Sequence, residues 1–392
     1  MGPIPQATPQ RSNGPDTAMD ADANTHGLTE TPLRKFFEAA VRFKASDLLL
    51  RGGQTPKLRV RGELRSLEAD PIEAADLDRM LELCLSPDQW RQFQEIGSID
   101  VGVDLNTTKH GSQRFRINIY RTRSRTALAA RHVSSEILNF EQLHLPPIMG
   151  EIADGRAGMI LLCGITGSGK STTIASMLQL INETRNCHLV TIEDPIEYLF
   201  DDAKAVISQR EIGIDVPDFP TGLRALVRED PDVVFIGEMR DKDTFEAAIQ
   251  AAETGHLVFG TIHASSTAQA FGRIYDLFSP EEREGVRNML AYHMRAIVYQ
   301  KLVATISGDP PRVPAVEVLR NNPAVRKYIL EDREGELLEV IKGSREEGMQ
   351  TFVDSLVELV NQQMIHPRSA QAEAPSAEEV KMRLRGIESS EG

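Results

Sequence analysis

The chain has 392 residues, which at about 150 residues per domain points to two or three domains rather than one. Its 58 acidic and 44 basic residues give a formal charge of −14, a poor match for binding driven by release of phosphate counterions, so a nucleic-acid partner is not expected. Hydrophobic residues at 41% with 28 glycines exclude a largely disordered chain. The longest apolar run, around Met159–Cys163, is far below the roughly 18 residues of a membrane span, so no direct membrane insertion is expected.

Residues 1–30 begin MGPIPQATPQRSNG, which has neither the basic start nor the apolar block of a secretory signal, and Gln6 stands where a myristoylation signal needs Ser or Thr. A cytoplasmic location is expected. The same stretch shows no apolar period and is expected to be disordered. Residues 31–135 open with Leu33, Phe36, Phe37, Ala40 and Val41 at helical spacing and continue as alternating runs, KLRVRGEL and QRFRINIY. These predict a helix with an antiparallel sheet, an α+β domain. Arg114, Arg116, Arg121, Arg123, Arg125 and Arg131 crowd its end. They fit a solvated strand face or a nucleic-acid contact or, in an acidic chain with a phosphate loop, cations that stabilise transferring phosphoryl charge from a neighbouring domain or subunit.

A linker is placed at 136–145. Over 146–366 the apolar runs MILLCG, HLVTIE, DVVFIGE and HLVFGTIH alternate with helical stretches, which predicts an α/β domain with a parallel sheet and crossover helices. Ser279-Pro280-Glu281-Glu282 and Asp243 with Glu246 read as helix starts. Met349, Phe352, Val353, Leu356 and Val360 recur at helical spacing as a packing face. Residues 367–392 repeat the composition of the N-terminal stretch and are expected to be a flexible tail. Cys84, Cys163 and Cys187 contain no CxxC pair and read as small buried apolar residues.

Gly164-Ile165-Thr166-Gly167-Ser168-Gly169-Lys170-Ser171 satisfies the eight-position phosphate-loop pattern, directly after an apolar strand. Its backbone N–H groups and the following helix N-terminus suit phosphate, Lys170 is placed to reach the β- and γ-phosphates, and the Ser171 hydroxyl to ligate Mg2+. Ligands of an open parallel sheet sit beyond the carboxyl ends of its strands. Three other strands end there in reactive groups: HLVTI in Glu193-Asp194-Pro195-Ile196-Glu197, DVVFIG in Glu238, and LVFGTI in His263. Glu238 is read as the Walker B carboxylate that holds Mg2+ through water. His263 is either a γ-phosphate sensor or a structural histidine. Asp232, about 20 Å from Glu238 along the strand, belongs to the opposite sheet edge as a cap, and His256 lies at the opposite end of its own strand.

These segments resemble the secretion and pilus motor ATPases, and within them the type IV pilus retraction (PilT-like) branch. The likeness covers about 33–365 and rests on ASDLLLRGGQTPKLRVRGEL, GITGSGKST, TIEDPIEY, RALVREDPDVVFIGEMRD, ETGHLVFGTIHASST and EEGMQTF in that order. It implies a PAS-like N-terminal domain joined to a RecA-like ATPase domain, working as a homohexamer with ATP at the interfaces. It implies that Glu197 activates the attacking water, that His263 and His256 sense nucleotide, that Thr172 completes the loop, and that Arg116 and Arg131 act on a neighbour's nucleotide. The implied function is Mg2+-dependent ATP hydrolysis that drives pilus retraction. The implied location is peripheral, at the inner-membrane pilus base, on a platform protein and with a second retraction ATPase as a further partner. An accessory retraction paralogue and a type II secretion or pilus assembly ATPase are the alternatives. The absence of a tetracysteine module, and only about 30 residues before the first domain, favour the retraction branch. Leu49 for His, Ile165 for Pro, and AVRKYILEDREG for an AIRNLIREGK-like segment depart from the family pattern.

Overall fold

A computed structural model describes residues 31–386 apart from 61, 108–110, 134–135 and 227. The expected disorder of 1–30 lies outside the described residues. The chain divides between His132 and Val133 into two compact units.

The first unit contains α1 (Arg34–Arg42), β1 (Asp47–Arg51), β2 (Lys57–Val60), β3 (Glu63–Ser66), α2 (Ala74–Cys84), α3 (Pro87–Ile96), β4 (Ser98–Thr107), β5 (Gly111–Thr122) and β6 (Arg125–Val133). Its six strands lie in the order β3-β2-β1-β6-β5-β4, with β1 antiparallel to β2 and β6, and β4 antiparallel to β5. Phe36, Phe37, Ala40 and Val41 of α1 pack with Phe93 of α3 and with Leu48, Phe115 and Ile117 of the strands in one apolar core.

The second unit is α/β. Its strands are β7 (Gly158–Cys163), β8 (His188–Glu193), β9 (Val206–Glu211), β10 (Val233–Ile236), β11 (Leu257–Ile262), β12 (Met294–Ala304) and β13 (Arg312–Arg320), in the order β13-β12-β7-β11-β10-β8-β9. All neighbours are parallel except β12 and β13. Helices α4 (Ile148–Ala153), α5 (Lys170–Thr184), α6 (Phe219–Leu226), α7 (Lys242–Glu253), α8 (Thr267–Tyr275), α9 (Arg283–His293), α10 (Pro323–Leu330), α11 (Leu337–Gly343), α12 (Phe352–Asn361), α13 (Pro367–Glu373) and α14 (Ala377–Leu384) complete it. Every residue of β7, β10 and β11 is buried, as a sheet covered on both faces requires. Alternation divides the two sides. Met159, Leu161 and Cys163 share a core with Phe245, Phe271 and Leu290, whereas Ile160 and Leu162 share one with Met149, Ile174 and Met177.

Four expectations need correction. The stretch 367–392 is not a loose tail over its described part: Ala370 of α13 and Val380 of α14 are buried with Phe352, Leu356 and Leu359 of α12. His366 and Ser376 cap these helices, and Arg383 pairs with Asp354. The cap of α7 is Asp241, in extended conformation and accepting from Thr244 N, rather than Asp243. Helix α9 begins at Arg283, so Ser279–Glu282 is a turn, closed by the Ser279 N–H donating to the Glu282 carboxylate at 3.0 Å. Of the cysteines, Cys163 is buried while Cys84 and Cys187 are half-buried.

Candidate functional site

In the sheet, β7, β11, β10 and β8 are consecutive neighbours, so their carboxyl ends form a row at about 4.8 Å intervals. The segments that leave those ends carry the phosphate loop, His263, Glu238 and the 193–197 turn.

The loop 164–169 joins β7 to α5, whose N-cap is Gly169 in left-handed conformation. Ile165, Thr166 and Gly167 are exposed and Ser168 is buried. Gly164 is required by close approach: a Cβ there would stand 2.4 Å from the Gln300 carbonyl oxygen and 2.7 Å from Ser168 Oγ. Lys170 Nζ donates to the carbonyls of Gly164 (2.9 Å) and Ile165 (3.2 Å). Burial lowers its pKa, opposed by the charge of Glu238 and, further down, Glu197. Ser171 is half-buried at the head of α5, and the Thr172 hydroxyl lies 2.8 Å from the Tyr198 hydroxyl.

Glu238 is aimed by its neighbours. The Thr261 hydroxyl donates to the Gly237 carbonyl (2.6 Å), Met239 N donates to the Thr261 carbonyl (3.0 Å), and Met239 packs where Gly260 has no side chain. Burial would push the Glu238 carboxyl up, but the hydrogen bond and charge of Arg240, with His263 and Lys170, hold it below the usual carboxylate range. His263 Nε2 stands 3.0 Å from Glu238 Oε1, yet that buried oxygen accepts no aligned hydrogen bond among the described residues. Glu238, Arg240 and His263 line a cavity of about 370 Å³ together with Arg273 and Asp276.

Of the three carboxyls at the end of β8, Glu193, Asp194 and Glu197, the first and the last sit in opposite surroundings. Glu193 is buried; its oxygens accept from Thr191 Oγ1 (2.6 Å), Gln209 Nε2 (3.3 Å) and Glu197 N (3.4 Å). Burial pushes its pKa up to about 7 against those bonds. Glu197, four residues on, is exposed.

A magnesium ion at this site fits the donors present. A hard dication takes oxygen ligands and keeps several waters; the Ser171 hydroxyl at the head of α5 and the Glu238 oxygen that accepts no aligned hydrogen bond supply such atoms. Among the described residues no group of three His, Cys, Asp or Glu side chains could hold a metal alone, so such an ion depends on phosphate and water for its remaining ligands.

His256 does not join this site within its own chain. It begins the strand that His263 ends, about 20 Å away, and its Nδ1 lies 2.9 Å from the Ala251 carbonyl and 3.1 Å from the Thr254 hydroxyl at the end of α7. His256 thus makes a local capping contact at the end of α7. Asp232 accepts from His188 N at the start of β8 (2.8 Å), at the edge away from Glu238. Arg116 and Arg131 lie in the first unit, where with Asp47, Asp100 and Asn118 they line a polar cavity of about 230 Å³. Arg131 Nε is held by Asp47 (3.2 Å). Arg114 pairs with Asp104, and Arg121 lies over the Phe93 ring.

A second arginine cluster, Arg295, Arg320 and Arg326, lines a cavity of about 290 Å³ at the far end of the sheet. Arg295 donates to the Glu151 and Ile152 carbonyls and Arg326 to that of Ala291, so these cations finish the ends of α4 and α9.

Sequence reasoning missed Gln300, Tyr198 and Arg240. Only Arg240 had a signal, a cation two residues beyond a strand-end acid.

Residues 103–371 match the family described as type II/IV secretion system protein. The chain is 39% identical over 324 residues to a twitching motility protein of Neisseria gonorrhoeae, covering 83% of this chain and 85% of that one. It is 36% identical over 330 residues to the type IV pilus retraction ATPase PilT of Pseudomonas aeruginosa, covering 84% and 94%. Among solved structures it resembles the pilus retraction motor PilT with bound ADP, with a TM-score of 0.81 and 37% identity over 88% of this chain and 98% of that one. No described helix is long and apolar enough to cross a membrane.

Proposed function

The chain belongs to the family of type II/IV secretion system proteins, in its pilus-retraction branch, and on that premise we propose that it is a motor that hydrolyses ATP to drive retraction of a type IV pilus. The observation that carries this is the row at the sheet's carboxyl edge: a phosphate loop, His263, Glu238 and Glu197 on four adjacent strands. Phosphoryl transfer asks chiefly for positioning and charge stabilisation, and this row supplies both. The loop N–H groups and Lys170 hold the phosphates. Glu197, exposed at the rim, takes the proton of the attacking water. His263 is placed for the γ-phosphate beside Glu238. A bound Mg2+ would supply charge that neutralises the phosphates; Ser171 would hold it directly and Glu238 through water.

The rest of the reading concerns assembly. Arg116 and Arg131 act on the nucleotide of a neighbouring copy in a ring of six. The ring works in the cytoplasm against a platform protein at the inner-membrane pilus base, with a second retraction ATPase as companion. The absence of a nucleic-acid partner predicts an ATPase rate that does not respond to added DNA or RNA. The test is Glu197→Gln. ATP binding should stay near wild type while turnover falls by at least about a hundredfold, the lower range for removing a general base. Cells carrying that variant should keep their pili and lose retraction; unchanged turnover sinks the assignment.

A further inference from the structure

Gln300 sits on β12, the neighbour of β7 that pairs Tyr299 with Cys163, one step beyond the last paired residue and beside the start of the phosphate loop. It is 2% exposed. Its Nε2 donates to the Ser168 carbonyl (2.9 Å) and its Oε1 accepts from the Thr173 hydroxyl (2.8 Å). One amide therefore grips the loop's last turn and the first turn of α5 at once. A Cβ on Gly169 would stand 2.8 Å from Gln300 Nε2, so the glycine at that position is demanded by this side chain as well as by the backbone angle. Such a grip needs a donor and an acceptor on one planar group, which an uncharged amide supplies at every pH.

We propose that Gln300 is a positioning residue that sets the phosphate-binding shape of the loop by fixing the Ser168–Gly169 peptide. In a planar trans peptide the C=O and N–H point in opposite directions. Drawing the Ser168 carbonyl toward β12 turns the Gly169 N–H away from β12, outward, where a phosphate oxygen would be received. The Thr173 bond holds the head of α5 in register with that peptide, so the N–H groups at the helix start keep one arrangement. Without Nε2 the Ser168 carbonyl loses its buried donor and the peptide is free to rotate. The inference deepens the nucleotide reading and rests on it. It also ties the loop to the C-terminal helices, because the residues flanking Gln300 contact them: the Tyr299 ring lies 5.2 Å from that of Phe352, and Lys301 pairs with Glu373.

The test uses the full chain as Gln300→Leu, Gln300→Met and Thr173→Val, with Lys170→Ala as control. It reads the ADP dissociation constant, KM and kcat for ATP, and the unfolding temperature without nucleotide. Gln300→Leu should weaken ADP binding by about tenfold or more, the effect of leaving a buried polar group unpaired, and should raise KM by more than it lowers kcat. Thr173→Val, which spares the Ser168 bond, should weaken binding by less than about threefold. If Gln300→Leu does not fold, the unbranched and uncharged Gln300→Met, which fills nearly the same volume and loses the donor, should show the same loss. A lowered unfolding temperature with unchanged ADP affinity and KM in either Gln300 variant overturns the proposal, as does an equal effect from Thr173→Val. Wild type that fails to bind ADP, or Lys170→Ala that binds as well as wild type, refutes the nucleotide reading itself.

Discussion

Replacing Glu193 with glutamine should make the second unit more stable above neutral pH. The Glu193 carboxyl is 5% exposed and burial pushes its pKa from 4.5 to about 7, with the negative charge of Glu197 adding to the rise and hydrogen bonds from Thr191, Glu197 N and Gln209 opposing it. A raised acid pKa means that the folded state holds the proton more tightly than the unfolded state. The associated stability is fully present below about pH 4.5 and is lost as pH rises through about 7. A shift of this size corresponds to about 3 kcal/mol. Glutamine is neutral at every pH and keeps an oxygen to accept from Thr191 Oγ1. Glu193→Gln should therefore match wild type to within about 1 kcal/mol at pH 5 and exceed it by about 1–3 kcal/mol at pH 8. The sole tryptophan, Trp90, belongs to the first unit, so its fluorescence is the wrong probe. Far-UV circular dichroism in urea, or hydrogen exchange of the β8 amides, follows the relevant core. A wild-type pH slope that survives in Glu193→Gln, or lower stability of the variant at pH 8, refutes the burial argument.

Two further outcomes follow from packing. Gly164→Ala should abolish nucleotide binding and destabilise the protein by at least about 2 kcal/mol, because the new methyl meets a backbone carbonyl that cannot swing aside and the φ of +152° is strained for alanine; isothermal titration with ADP and a thermal melt check both. Val380→Asp should lower stability by more than about 2 kcal/mol, since it buries a carboxylate among Phe352, Val353 and Leu356. A melting temperature equal to wild type would mean that α14 does not depend on that contact.

The parts of the fold that sequence reveals are those with strong local pattern. Fully buried parallel strands give unbroken apolar runs, so β7, β8, β10 and β11 are visible. Strand β12 is harder to see because Gln300 and Lys301 interrupt its apolar run directly after a helix, and β13 contains Pro314, which discourages a strand assignment. Helices α13 and α14 are held by two buried anchors, Ala370 and Val380, among polar residues. Their stability comes from the face of α12 that they cover, and a local composition carries no trace of that partner.

The site shows the same division. That reactive groups at strand ends converge is a property of the α/β layout, so Glu238, His263 and the 193–197 turn can be placed beside the loop from order alone. What order does not reveal is which carboxyl of a short acidic run is turned inward: Glu193 and Glu197 are four positions apart, yet the first is buried and the second exposed. His256 shows how one motif can reach both edges of a sheet. It stands seven residues from His263 within one motif, but the intervening residues form an extended strand and carry it to the far edge. Gln300 is the opposite case, about 130 residues from the loop it grips. Its main partner is the Ser168 carbonyl, a backbone atom common to every residue, so nothing in the letters of either segment records the bond. Side chains that recognise side chains leave complementary residues in a sequence, whereas one that orients a peptide leaves only itself, here a buried amide next to Lys301 in a largely apolar strand.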